Sequence, residues 1–133
     1  MAYLLDTNVI SPMLRDPRGD MALRVAGLAD RPSTSIIVVA ELRFAIAKGG
    51  SQRFATQLES LLRGIEILPF DQTADQCYGR LRADLERSGR MIGPNDLLIA
   101  AQCLAGDLTL VTDNIREFSS VPGLKLENWT RCS

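Results

Sequence analysis

Short apolar runs alternate along this chain with longer stretches of helical spacing, and that alternation limits the fold more than any other feature. Strands separated by helices pair in parallel, because a parallel pair needs a crossover of roughly a dozen residues or more. Strands are expected near Ala2–Leu5, Ser33–Ile36, Ile65–Leu68, Leu108–Val111 and, at an edge, Leu124–Leu126. Helices are expected over Thr7–Arg15, Asp20–Ala29, Ile37–Lys48, Gln52–Arg63, Gln72–Ser88 and from Gly93-Pro94 through Leu104, with a helical turn at Ile115–Phe118. The Ile and Val residues after Ile36 leave a strand open for the first half of the third helix. The fold class that results is α/β, a three-layer α/β/α sandwich on a mainly parallel four- to five-stranded sheet. A chain of 133 residues without repeats or linkers is expected to form a single domain over 1–133.

One absence narrows the chemistry. The chain contains no histidine, which excludes Ser-His-Asp and Cys-His catalysis, imidazole acid–base steps and His-ligated zinc or haem. Carboxylates, hydroxyls, thiols, cations or a metal held by oxygen remain. Sixteen acids against fifteen bases leave a formal net charge of −1, so any attraction for nucleic acid has to be local. Thirteen of the bases are arginine; the guanidinium fork suits phosphate, but GC-rich coding produces the same bias. Cys77, Cys103 and Cys132 are widely spaced and form no CxxC pair, which fits a reducing cytoplasm better than a disulfide framework. The N-terminus lacks the regions of a signal peptide, and the nearly apolar run Ser35–Ala47 contains Glu41 and Arg43 and is too short to span a bilayer. A soluble cytoplasmic protein is expected.

In open parallel sheets, sites form at the carboxyl ends of strands. Asp6 directly follows Tyr3-Leu4-Leu5, and Asp113 and Asn114 follow Thr112 at the end of another expected strand. Each also has a structural explanation as a helix cap or a turn. Glu41 is harder to explain that way. Its neighbours at three- and four-residue spacing are Ile37, Val38, Phe44 and Ala45, so the carboxylate needs a remote arginine, a proton or a metal. Asp96 lies in the first turn of a helix, where it complements the dipole. The helix continues as Leu97-Leu98-Ile99-Ala100-Ala101, so Asn95 and Asp96 would project from a core helix toward the sheet edge. Asp84, Glu86 and the arginines around them, with pairs such as Glu86–Arg90, read as a solvated face. Asp16, Asp20, Asp30 and Asp107 lie beside turns and read as surface. Three acids without local cations, Asp6, Glu41 and Asp96, suggest one cluster of hard oxygen ligands. Such a set suits Mg²⁺ or Mn²⁺ and the hydrolysis of a phosphodiester by activated water.

Four segments carry a family resemblance: LLDTNVIS at the N-terminus, VAELRFAIAKG, IGPNDLLIAAQ and LTLVTDNIREFSSVPGLKLENW. In that order and nearly end to end, they resemble the PIN-domain ribonuclease toxins of the VapC type. The resemblance implies a PIN fold, usually dimeric, and Mg²⁺-dependent cleavage of RNA (Mn²⁺ substituting), with tRNA as one substrate class. It implies a cognate antitoxin as partner in a type II toxin–antitoxin pair, with operator DNA reached only through the antitoxin. Asp6 would be the first metal ligand, with Glu41 and Asp96 the second and third acids. The fourth position falls at Asp113 or Asn114, since the acid here stands one residue earlier than the family pattern. Thr7, Asn8, Asn95 and Thr112 would support the ligands or contact phosphate. Gln102 stands where relatives often carry histidine, so that histidine is not needed for chemistry. The apolar stripe of Phe54, Leu58, Leu61 and Leu62 serves the core or a groove for an antitoxin segment.

Three alternatives remain at this level. A structure-specific DNA nuclease would use the same acids, and a non-catalytic PIN module would keep the scaffold alone. A phospho-acceptor receiver domain would need an acidic pair after the first strand and a lysine near the last, whereas Asp6 has no adjacent acid and Lys125 lies too near the chain end.

Overall fold

The computed structural model describes residues 2–130. Its elements in chain order are β1 (Tyr3–Leu5), α1 (Thr7–Arg15), α2 (Asp20–Ala26), β2 (Ser33–Ser35), α3 (Ile36–Gly49), α4 (Gln52–Leu62), β3 (Glu66–Leu68), α5 (Gln72–Ser88), α6 (Pro94–Gly106), β4 (Thr109–Val111), α7 (Ile115–Phe118) and β5 (Lys125–Glu127). The strands form one sheet in the order β3-β2-β1-β4-β5, and every neighbouring pair is parallel. The expected α/β architecture is the observed one, at the upper end of its strand count.

The central strands anchor the core. Leu4 and Leu5 of β1 and Leu110 and Val111 of β4 are wholly buried, as are Val9 and Ile10 of α1, Val38 of α3, Ile99 and Ala100 of α6 and Phe118 of α7. Each large apolar side chain removed from water in this way contributes about 1.5–3 kcal/mol.

Caps set the helix ends. The Ser35 hydroxyl accepts from the Ile37 amide at 2.9 Å, so the chain turns helical at once where the β-branched residues left a strand open. Gly50, at φ 69°, ends α3 in the left-handed conformation that a side chain would resist. Asp71 caps α5 by accepting from the amides of Thr73 and Ala74. Helix α2 stops at Ala26, short of Ala29, because Gly27 closes it through the Leu23 and Val25 carbonyls. The expected Glu86–Arg90 pair does not form: Gly89 ends α5 in a left-handed turn and carries Arg90 out of helical register. The ion pairs on that face are Arg82–Glu86 at 3.2 Å and Arg87–Asp84. On α4, Leu58 is buried and Phe54, Leu61 and Leu62 pack against the core, so the stripe serves mainly as core.

Cys77 and Cys103 are free thiols; Cys132 lies outside the described residues. Among the described residues, no helix is long and apolar enough to cross a membrane.

The chain order fixes where a site can form. From β1 the chain moves outward through β2 to β3, then crosses back to β4 and continues to β5. The border between β1 and β4 is therefore the topological switch point, where crossovers leave toward opposite sides and open a crevice at the strand ends.

Candidate active site

Asp6 stands at that crevice. It is buried, at 4% exposure, and it does cap α1: its Oδ1 accepts from the Thr7 amide at 2.8 Å. Its Oδ2 has a different task. It accepts from the Thr112 hydroxyl at the end of β4, at 2.8 Å, and from Asn8 Nδ2 at 3.3 Å. Thr112 Oγ1 in turn accepts from Asn8 Nδ2 at 3.2 Å and from the Asn114 amide at 3.0 Å. A hydroxyl with one donor and two acceptor positions is thereby fully used, which fixes the orientation of Asp6. Burial raises the Asp6 pKa; the hydrogen bonds from Thr112, Thr7 and Asn8 oppose that rise, while the charge of Glu41 adds to it.

Glu41 reaches the same place from α3. Its Oε1 accepts from the Thr7 hydroxyl at 3.0 Å and its Oε2 from Asn95 Nδ2 at 3.4 Å. The remote arginine that would have explained it structurally is absent among the described residues, and Arg43 pairs instead with Glu59 at 2.8 Å.

Asp96 arrives from the first turn of α6, set by Pro94 at the helix start. Its pKa is pushed up to about 8, first by burial, then by a hydrogen bond to Glu117 and by the charges of Glu117, Asp6 and Glu41. Glu117 moves the opposite way: the hydrogen bond from Asp96 and the Gly93 amide hold its pKa below the usual range. The same contact thus favours a protonated Asp96 facing an ionised Glu117.

Glu117 is the functional candidate that sequence reasoning missed. Its Oε1 accepts from the Gly93 amide at 2.8 Å and its Oε2 from Asn114 Nδ2 at 2.8 Å. Asn114 thus orients a carboxylate three residues ahead of it. Asp113 does not join the group. It is exposed and lines a neighbouring cleft, and its amide donates to Asn8 Oδ1 at 3.0 Å. Gln102 is a structural tie: it accepts from the Ser35 hydroxyl, and its Nε2 donates to the carbonyls of Leu68 and Pro69 at 3.1 Å each.

The result is four carboxylates, Asp6, Glu41, Asp96 and Glu117, supported by amides and hydroxyls. None of them makes an ion pair with a described arginine or lysine. The donors are all hard oxygens, and no three of them close into a ready-made metal cage among the described residues. That combination fits a cation of the Mg²⁺ kind, which keeps several waters and takes one or two carboxylates plus substrate oxygens. Only a shared proton relieves the repulsion otherwise.

A family model described as the PIN domain matches residues 3–124. The chain belongs to the PIN-domain family. Within it, the similarity runs to VapC ribonucleases. The chain is 37% identical to the ribonuclease VapC2 of Rickettsia felis over 98% of this chain and 100% of that protein. It is 30% identical to a tRNA(fMet)-specific endonuclease VapC of Salmonella typhimurium, over 97% and 98% of the two chains. The structure of VapBC2 from Rickettsia felis bound to a promoter DNA fragment superposes with a TM-score of 0.88 at 36% identity, covering 97% of this chain and 99% of that one. This PIN domain thus places its carboxylates where its topology opens a crevice.

Proposed function

We propose that this chain, acting as one PIN domain, is a divalent-metal-dependent endoribonuclease and the toxin of a type II toxin–antitoxin pair. What carries the reading is the meeting of four carboxylates at the β1/β4 switch point with no described arginine or lysine in ion-pair reach. Asp6 and Asp96 would hold Mg²⁺, or Mn²⁺ in its place, with Glu41 and Glu117 beside them. When bound, the cation supplies positive charge that activates water toward a phosphodiester and stabilises the leaving oxygen. The rest falls to the chain itself. Thr112 and Asn8 lock the rotamer of Asp6, Thr7 and Asn95 steady Glu41, and Asn114 with the Gly93 amide aims Glu117 at Asp96. The 30% identity to a tRNA(fMet)-specific endonuclease makes tRNA the first substrate to try.

The antitoxin is the expected protein partner. A cavity of about 460 Å³ between α1, α2 and α4, lined by Met13, Val25, Leu28, Leu61 and Ile65, offers an apolar seat. A second copy is expected on the exposed face of α3, where Phe44 is 68% exposed.

Purified protein given tRNA and Mg²⁺ should produce discrete fragments, and excess EDTA should abolish them. Single-stranded DNA of equal length should survive the same conditions; its cleavage with RNA left intact would favour the DNA-nuclease alternative. Glu117→Gln should lower kcat at least tenfold. An Asp113→Asn enzyme that loses as much would restore Asp113 to the site.

A further inference from the structure

Helix α1 begins at the carboxylates and runs away from them. Asn8, Ser11, Pro12 and Arg15 recur along it at three- and four-residue spacing and so share one face. With Thr7 they line a cleft of about 510 Å³, whose other wall carries Asp113. Two of these residues already belong to the site: Thr7 bonds Glu41 and Asn8 bonds Asp6. The cleft therefore adjoins the carboxylate group and shares two of its hydrogen-bond partners, Thr7 and Asn8. Pro12 lacks an N–H, so the helical bond to the Asn8 carbonyl cannot form. At the far end stands Arg15, exposed and without an ion pair to any described residue. Among the described residues lining the cleft it is the cation. It stands seven positions along the helix from Asn8, roughly 10 Å along the axis.

We propose that this face of α1 is the track along which the RNA strand leaves the cleavage site, with Arg15 binding a backbone phosphate next to the scissile one. The inference rests on the ribonuclease reading above. A cluster of carboxylates repels a polyanion on either side of the bond it acts on, so an anchoring cation has to stand off from it. Arg15 does so on a polar path that starts among the carboxylates' own hydrogen-bond partners, Thr7 and Asn8. The guanidinium fork matches phosphate oxygens, while the Thr7 and Ser11 hydroxyls and the Asn8 amide suit ribose, whose 2′-OH both donates and accepts. Asp113 on the opposite wall keeps the phosphates to the α1 side. Around Pro12 the lining residues offer amide, hydroxyl and charged groups that a sugar-phosphate backbone can use.

The test is steady-state cleavage of a single-stranded RNA by wild type, Arg15→Gln and Arg15→Lys in Mg²⁺, repeated across salt concentrations, with melting curves to verify folding. Arg15→Gln should raise KM about tenfold with little change in kcat and flatten the slope of log KM against log salt by about 0.7, the share of one phosphate contact on a single strand. Arg15→Lys should recover most of the affinity. An Arg15→Gln enzyme with wild-type KM and salt slope overturns the proposal. So does a variant that loses antitoxin binding while its KM for RNA is unmoved, which would make the cleft a protein-docking surface. A wild-type protein that cleaves no RNA in Mg²⁺ or Mn²⁺ sinks the ribonuclease reading itself, a result distinct from either.

Discussion

Without a metal, burial and the neighbouring carboxylates favour the protonated form of Asp96 far more than in an ordinary aspartate. Its pKa in the fold is about 8, whereas an unfolded chain releases that proton near pH 4. Between those values the folded state binds more protons than the unfolded state, so this group makes stability fall as pH rises. The lowered pKa of Glu117 acts in the opposite sense, adding stability that is lost as pH drops through it. Asp96→Asn removes the first effect and still offers Glu117 an N–H donor. With the shift discounted for the solvent on its open side, a gain of about 1 kcal/mol is reasonable, which is about 3–5 °C in Tm for a domain of this size. The metal-free variant should therefore melt higher than wild type at pH 8, with the difference vanishing at pH 4, and should lose cleavage. Equal melting at pH 8 would show that Asp96 is not strained by its neighbours. The three acids legible in the sequence stood out for one reason, carboxylates at strand ends or on apolar helices with no cation nearby. Glu117 carried no such mark: it sits in a four-residue helix beside Arg116 and two serines, and its role depends on the Gly93 amide, 24 residues away. The one local signal was Asn114, three residues ahead.

At the scale of elements, the sequence announced strands and helices almost to the residue where caps and glycines mark the ends, as for α1, α5 and α7. It erred where a glycine inside the helical pattern ended the helix early, as Gly27 does for α2, and where helical pairing was extended past Gly89. How α3 and α6 are held together was not visible at all. Gln102 does part of this: one buried amide joins the start of α3, through Ser35, to the end of β3, through Leu68 and Pro69. Those two helices carry Glu41 and Asp96, so the tie bears on the site from a distance. Gln102→Leu is close in size but leaves two carbonyls without this donor, which costs about 1–3 kcal/mol. Urea denaturation should show a lower midpoint with an unchanged m-value. An unshifted midpoint would mean that water replaces the amide without loss.

At the scale of the molecule, the near-zero net charge conceals a strong separation. Four acids collect at one crevice, and Arg15 stands along the path that leaves it. The lack of histidine fits the same arrangement, since carboxylates that hold a cation need no imidazole. The apolar surface is equally uneven. On α3, Ile36 and Phe44 are 42% and 68% exposed, and Ala40 and Ala47 complete the open face of the same helix. An exposed apolar stripe on a helix whose opposite side enters the core invites a partner. A second copy would satisfy it by two-fold symmetry, each α3 covering the other. Phe44→Glu would bury a carboxylate against its own symmetry mate, which adds like-charge repulsion to the loss of apolar contact. Light scattering at micromolar concentration should find wild type a dimer and Phe44→Glu a monomer, with melting curves that still show a folded protein. A wild-type monomer would leave the stripe to the antitoxin, and a Phe44→Glu dimer would move the interface elsewhere on the surface.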